Sequence, residues 1–253
     1  MDLKNLTIAS LAAGIMIFAP VGVRADLAQD IITTEDGNLT IHPIDHATFV
    51  MTGGEKVVYV DPVGDAGAFA DFDPPDIILI THIHGDHTSA ETMMAVSTAT
   101  TLVLAPTTVA EKLGEGIPGE LTVLANGESF ERDGIRIEAV PAYNLTEERQ
   151  GFHPKGRDNG YVVTVGGKRI YIAGDTEDIP EMRALENIDA AFVCMNLPYT
   201  MTVERAADAV LEFAPRIVYP YHYRGKGGMS DLEAFKTIVA ANPEIDVRLL
   251  NWY

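Results

Sequence analysis

An apolar run that ends abruptly in imidazole constrains this chain more than any other feature. In ILITHIHGDHTSAET, residues 78–92, a hydrophobic stretch runs straight into His82, His84, Asp86 and His87, so that three of the chain's seven histidines fall within six positions. A short continuous apolar run bounded by turn residues reads as a strand buried on both faces. Rings of one kind, each able to take a proton, are costly to bury together without a partner. His82 and His84 are two apart, so on an extended segment their rings point the same way. Gly85 lets the chain turn and bring Asp86 and His87 round to a second point nearby. Neutral imidazole nitrogen suits zinc, and carboxylate oxygen suits zinc, iron or manganese. The missing partner is therefore read as a pair of divalent cations.

Two more apolar strands end in metal-competent residues. RIYIAG runs into Asp175-Thr176, and RIVYPY into His222. Strand ends are where an α/β scaffold gathers function. A lone H-x-H would say little. H-x-H-x-D-H at the end of a buried strand, followed later by G-D-T and a strand-terminal histidine, is a coherent donor set.

The rest of the chain supplies a scaffold for such a set. LTIHPI, ATFVMT and KVVYVDP read as short strands, with Gly53-Gly54 as the hairpin turn. After the His-rich strand come a helix over 89–96, the strand TTLVLAP and the helix TVAEKL, then the strands GELTVL, ESFERD and IRIEAVPAYN with Asp133-Gly134 as a tight turn. The second half repeats the logic without repeating the sequence. A hairpin turns on Gly166-Gly167, IDAAFVCMN is a buried strand, TVERAADAVLEFAP and DLEAFKTIVAAN are helices, and DVRLLNW is the closing strand. Two blocks of strands then helices, with apolar strands covered on both faces, predict one α/β domain of central sheets under outer helices.

Charge and the first residues narrow the setting. With 37 acidic against 18 basic side chains the formal net charge is −19, a field that repels phosphate backbones and anionic lipid, so no nucleic-acid partner is expected. Residues 6–19 form a 14-residue apolar stretch behind Lys4, and Val23-Arg24-Ala25 is a small-residue cleavage signature. This reads as a secretory signal peptide over 1–25, cut before Asp26, and the stretch is shorter than the roughly 20 residues a membrane span needs. The expectation is a periplasmic or secreted domain over 26–253, with no stable membrane anchor after processing. Cys194 is the only cysteine, which excludes an internal disulfide, and it reads as a small core residue.

THIHGDH, AGDT and YPYHY, in this order across the mature chain, resemble the metallo-β-lactamase superfamily of binuclear metallohydrolases. HATFVMTGGEKVVYVDP and NLPYTMTVERAADAV are similar to its branch of L-ascorbate-6-phosphate lactonase-like and N-acyl-phosphatidylethanolamine phospholipase-like proteins. The resemblance implies a four-layer αββα sandwich with the site at the edge between its halves. It implies that His82 and His84 bind one metal, that Asp86, His87 and His222 bind the other, and that Asp175 bridges both. It further implies hydrolysis of an ester, lactone or phosphodiester of a small molecule, with Asp86 and Asp175 as the catalytic carboxylates and Asp86 taking the proton of the attacking water. A Ser89-based triad would leave the other histidines unexplained. A di-iron oxidoreductase of this superfamily would bring a flavin domain or a carboxylate inside the motif, and neither is present. The remaining alternative is a metal-binding scaffold with little turnover.

One departure matters. Where the family places a third histidine for the first metal, this chain has Tyr143 and Asn144. His153, in the loop GFHPKGRDNGY, is the expected replacement, with a substrate contact or a surface position as the other readings. His46, on the first hairpin, is read as supporting rather than ligating, and His42 as solvated. Tyr143, Lys155 and Arg157 are candidates for substrate binding, since the loop holding them is cationic in an acidic chain. It could receive an anionic group of the substrate such as phosphate or carboxylate, with a solvated loop as the other reading.

Overall fold

The computed structural model describes residues 28–253; the expected signal peptide lies outside them. Two seven-stranded mixed sheets carry the domain. The first contains β1 (Asp30–Thr34), β2 (Gly37–Asp45), β3 (Thr48–Gly53), β4 (Lys56–Val60), β5 (Ile77–Leu79), β6 (Leu102–Ala105) and β7 (Glu120–Val123), in that spatial order. The second contains β8 (Ser129–Arg132), β9 (Ile135–Ala142), β10 (Asp158–Val165), β11 (Lys168–Ile172), β12 (Ala190–Cys194) and β13 (Ile217–Tyr221). A short ribbon, β14 (Arg224–Gly225) with β15 (Gly228–Met229), follows, and β16 (Asp246–Val247) closes the second sheet beside β13. Each sheet begins as an antiparallel meander and continues in parallel: β4 to β7 in the first, β11 to β13 and β16 in the second.

The alternation of side chains decides the layers. Along β3, Phe49 and Met51 face the second sheet, while Val50 joins Tyr59, Ile78, Ile80 and Val103 under the helices α1 (Ala90–Val96) and α2 (Thr107–Leu113). On the far side α4 (Val203–Phe213) and α5 (Leu232–Val239) cover the second sheet, with a one-turn α3 (Pro180–Arg183) before them. The order is helix, sheet, sheet, helix: the four-layer αββα sandwich the resemblance implied. Ser89 caps α1 by accepting from the Thr92 N–H, which accounts for the serine beside the histidines as a helix start.

Three local expectations change. The first hairpin turns on Gly54 and Glu55, both at positive φ, while Gly53 stays in β3 opposite Lys56. A Cβ on Gly53 would sit 2.8 Å from the Asn38 carbonyl oxygen, so this glycine serves a close approach between strands. β1 is an edge strand that the sequence did not announce. The closing segment pairs over only two residues and then leaves the sheet, carrying Trp252 and Tyr253 toward the strand ends.

Aromatic stacking joins the sheets. Phe192 of β12 lies between Phe49, with centroids 4.3 Å apart, and Tyr219, at 4.8 Å. Phe192→Ala is expected to cost about 3–5 kcal/mol, as for other buried aromatic truncations. Urea unfolding checks it. A loss under about 1 kcal/mol would mean that the two sheets do not depend on this contact.

Candidate metal centre

The parallel strands of both sheets deliver their C-terminal ends to one edge of the sandwich, where open α/β sheets place ligands. β5 ends at Leu79, and the chain to His82 is held by side chains: the Thr81 N–H and hydroxyl both donate to the buried Asp61 carboxylate at the end of β4, each at 2.7 Å. His84, Asp86 and His87 follow in a tight turn closed by the His87 N–H on the His84 carbonyl. Asp175 follows β11, and His222 follows β13 at φ 45°. His153 comes from the loop between β9 and β10.

These seven side chains meet. His222 Nε2 is 3.2 Å and His87 Nε2 3.5 Å from Asp175 Oδ1, and His153 Nε2 is 3.4 Å from Asp175 Oδ2. Donor atoms of His82, His84 and His153 lie within 4.8 Å of one another, as do those of His82, His87 and Asp175. The fold thus brings His153 beside His82 and His84. Its place has a local cause. Asp158, buried at the start of β10, accepts from the Arg157 Nε and Nη2 and lies 3.2 Å from His153 Nδ1, which turns Nε2 toward Asp175. On the other side, His87 Nδ1 is 2.7 Å from Asp61 Oδ2. Buried carboxylates that fix the far nitrogen of an imidazole are the usual support of a metal-binding histidine.

Three buried atoms of the cluster lack a well-formed hydrogen bond: His82 Nε2, His87 Nε2 and Asp175 Oδ1, the last two facing each other only as an ion pair at 3.5 Å. Orphans of this kind are rare and call for an ion or a water. All three belong to one nitrogen-and-carboxylate set, and the fit is that of a divalent cation.

Electrostatics point the same way. Burial, aided by the charge of His87, drives the His82 imidazole well below its usual range, and burial lowers His84. For His87, burial is outweighed by the carboxylates of Asp175 and Asp61, which raise it to about 9; for His153, hydrogen bonds to Asp158 and Asp175 likewise overcome burial. Burial pushes Asp175 up, but His222, His87 and His153 more than reverse this and hold it well below the carboxylate range. In the metal-free chain, protons on His87 and His153 supply positive charge that cations would otherwise bring.

The remaining predicted residues fall elsewhere. The Tyr143 hydroxyl donates to Glu181 at 2.9 Å and accepts from Lys155 at 3.1 Å, and the two line a separate depression with Asn144, Leu145, Gln150 and Pro154. Arg157 is committed to Asp158 and to the Phe152 carbonyl oxygen. Tyr143, Lys155 and Arg157, the candidates for substrate binding, do not line the cleft over the cluster; internal hydrogen bonds and ion pairs hold them. His46 is closer to the centre than expected. It lies 3.4 Å from Asp86 Oδ2, and its ring meets His222 edge-on at 3.9 Å. His42 is not simply solvated, since it bonds Thr52 and packs against Phe72. Asp61 and Asp158, both unremarked in the sequence, do the orienting; an aspartate closing the apolar strand KVVYVDP was the available signal for the first.

The cleft above the cluster holds about 330 Å³ and is lined also by Phe152, Asn196, Tyr199 and Arg224. A four-layer sandwich with a histidine-aspartate centre at its strand ends defines a class, the metallo-β-lactamase-fold hydrolases. A sequence profile of the β-lactamase superfamily domain matches residues 40–222. The chain belongs to that superfamily and is a metal-dependent hydrolase. It is 34% identical over 212 residues to a metal-dependent hydrolase of Pyrococcus abyssi, covering 80% of this chain and 92% of the relative. A similar relative from Thermococcus onnurineus is 34% identical over 209 residues, 79% and 92% covered. The crystal structure of a candidate metal-dependent hydrolase from Parabacteroides distasonis is 43% identical with a TM-score of 0.79, covering 89% of this chain and all of that one. Igni18, a metallo hydrolase of Ignicoccus hospitalis, shares the fold at 22% identity and a TM-score of 0.70, with 84% and 95% covered.

Two outcomes follow. His153→Ala is expected to weaken metal binding at the His82–His84 side by roughly 10-fold or more, exceeding the effect of His46→Ala; metal titration of both variants decides it, and unchanged affinity would make His153 a substrate contact. The raised His87 value carries a sign. Its protonation stabilises the metal-free fold fully below the ordinary 6.5, and that stabilisation is lost as pH rises through about 9. Metal loading near neutral pH must therefore expel protons. Calorimetry in two buffers of different ionisation enthalpy should give different heats, and equal heats would contradict the assignment.

Proposed function

We propose that this hydrolase is an exported, binuclear enzyme that cleaves an ester, lactone or phosphodiester of a small molecule. The convergence of His82 Nε2, His87 Nε2 and Asp175 Oδ1, all buried and all without a well-formed hydrogen bond, carries the reading. His82, His84 and His153 would hold one cation, Asp86, His87 and His222 the other, and Asp175 both. Nitrogen donors outnumber oxygen in this set, which favours zinc over manganese or iron. Two such cations would polarise the scissile carbonyl or phosphoryl oxygen and acidify a shared water toward neutrality.

The chain's own groups do the rest. Asp175, buried, is fixed between three imidazoles and has no freedom to move toward a substrate. The side chain of Asp86 is 48% exposed at the cleft floor and rests on His46, so it is the carboxylate available to accept the proton of an attacking water. Phe152 and Tyr199, edge to face at 5.2 Å, give one wall an apolar lip that sheds water from the bound substrate. A complete donor set favours turnover over a scaffold that merely binds metal. Export rests on the apolar stretch over 6–19 and the small residues before Asp26, and places the enzyme in the periplasm or outside the cell.

Protein purified from Asp26 without chelator is expected to carry close to two divalent ions per chain and to hydrolyse at least one member of a panel of phosphodiesters, lactones, thioesters and β-lactams. Asp175→Ala should lose both ions and cost far more activity than Ala at any single histidine, because one carboxylate serves two cations. One ion per folded wild-type chain, or a variant that keeps most of its metal and turnover, would sink the binuclear assignment.

A further inference from the structure

We infer that Arg224, laid over the ring of Tyr253 at one wall of the cleft, binds an oxyanion of the substrate, a carboxylate or phosphoryl group beside the bond that is cleaved. The inference rests on the hydrolase reading above and adds the substrate class to it. Among the described residues every other arginine has a carboxylate oxygen within 4.0 Å. Arg224 has none, in a chain with 37 acidic side chains. A cation left unpaired in such surroundings is available to a ligand, and this one lines the same cleft as Asp86 and His222.

Its position is built from the core outward. The guanidinium carbon stands 4.4 Å from the Tyr253 ring centroid, a stack that occupies the face of the group and leaves its edge N–H donors free. Tyr253 is itself anchored. Its hydroxyl is 2.8 Å from His46 Nδ1 and accepts from the Arg224 backbone N–H at 3.3 Å, while the His46 N–H donates to the Trp252 carbonyl. Trp252 is buried against Phe49 and Phe192. The ribbon that carries Arg224 is equally fixed, since a Cβ on Gly225 would lie 1.9 Å from the Leu197 carbonyl oxygen, and the Lys226 N–H donates to that same oxygen. A planar fork held in place, with free edge donors, matches the two oxygens of a carboxylate or phosphoryl group. Phe152 on Tyr199, which also line the cleft, offer no charge. The cleft thus sets a substrate's anionic end toward Arg224 and its apolar end toward Phe152.

The test compares two aryl esters on metal-loaded full-length mature protein: 4-nitrophenyl hydrogen succinate, which carries a carboxylate, and neutral 4-nitrophenyl butyrate. Arg224→Gln is expected to lower the ratio of kcat/KM for the anionic over the neutral ester by about 10-fold or more, with Arg224→Lys in between, because it keeps the charge and loses the fork. Tyr253→Leu, which removes the platform and leaves the arginine, should lower the same ratio. Calorimetric titration with succinate and with methylphosphonate reads binding apart from turnover. Both should bind Arg224→Gln more weakly than wild type; a loss with only one of them assigns the oxyanion to that chemistry. Equal affinities of both probes for the two proteins would overturn the inference. If the wild type cleaves neither ester and the panel above is also inert, the hydrolase reading fails, and the titrations alone decide the subsite.

Discussion

The Asp175 carboxylate is the interaction on which the rest of this site depends. An ionised carboxylate at 4% exposure is costly to bury unless cations or imidazolium groups surround it. Here His87 and His153, both raised by neighbouring carboxylates, and His222, which burial lowers, face it from three different connections at the strand ends. The same short run also builds its surroundings. Thr176 donates to the Tyr143 carbonyl oxygen, and the Glu177 carboxylate accepts from the N–H groups of Leu145 and Thr146 and from Arg149. Those bonds pin the start of the loop whose far end presents His153. Asp175-Thr176-Glu177 therefore supplies the central donor and also fixes the path of the segment that completes the first triad.

This explains how a site can tolerate Tyr143 and Asn144 at the end of β9. The Asn144 side chain donates to the Arg149 and Tyr199 carbonyl oxygens, and its N–H donates to the His153 carbonyl oxygen. An amide at this position closes the loop on itself, which a histidine reaching for a metal would not do. In the proposed assignment the donor lies further along the chain, at His153, and the loop is tied so that this position points inward. Asp158 and Arg157 finish the arrangement by orienting the ring.

What the sequence displayed was local. Apolar strands ending in His82, Asp175 and His222 are readable because a strand's last residues inherit its direction, and the hairpins on Asp133-Gly134 and Gly166-Gly167 are readable because only a few residues accept positive φ. Even the Gly53-Gly54 pair misplaced the turn by one residue only, since two glycines there answer two different demands. What stayed hidden depends on contacts between distant segments. His46 meets Tyr253 across 207 positions, a contact that no local pattern announces. The cationic loop is a related case. Charge in a sequence has no direction, and Lys155 and Arg157 turned out to serve Tyr143, Glu181 and Asp158.

The two carboxylates of the centre show how one donor set divides its work through burial. Asp175 and Asp86 face overlapping groups of histidines, and both are held in the ionised form. Asp175 is enclosed by rings that leave its side chain only 4% exposed, so its charge is matched mainly by protons or cations within the cluster. Asp86, with half its side chain in the cleft, is anchored on one side by His46 and open on the other. Its position on the turn after Gly85, rather than at a strand end, creates that exposure. A buried carboxylate fixes the charge that the site must hold; an exposed one of the same chemistry is left to exchange protons with whatever enters. Had both been buried, the centre would bind cations tightly and offer no acceptor at the cleft floor. Had both been exposed, solvent would weaken the field that holds His87 protonated in the metal-free chain, and with it the preorganisation of the donors for a divalent cation.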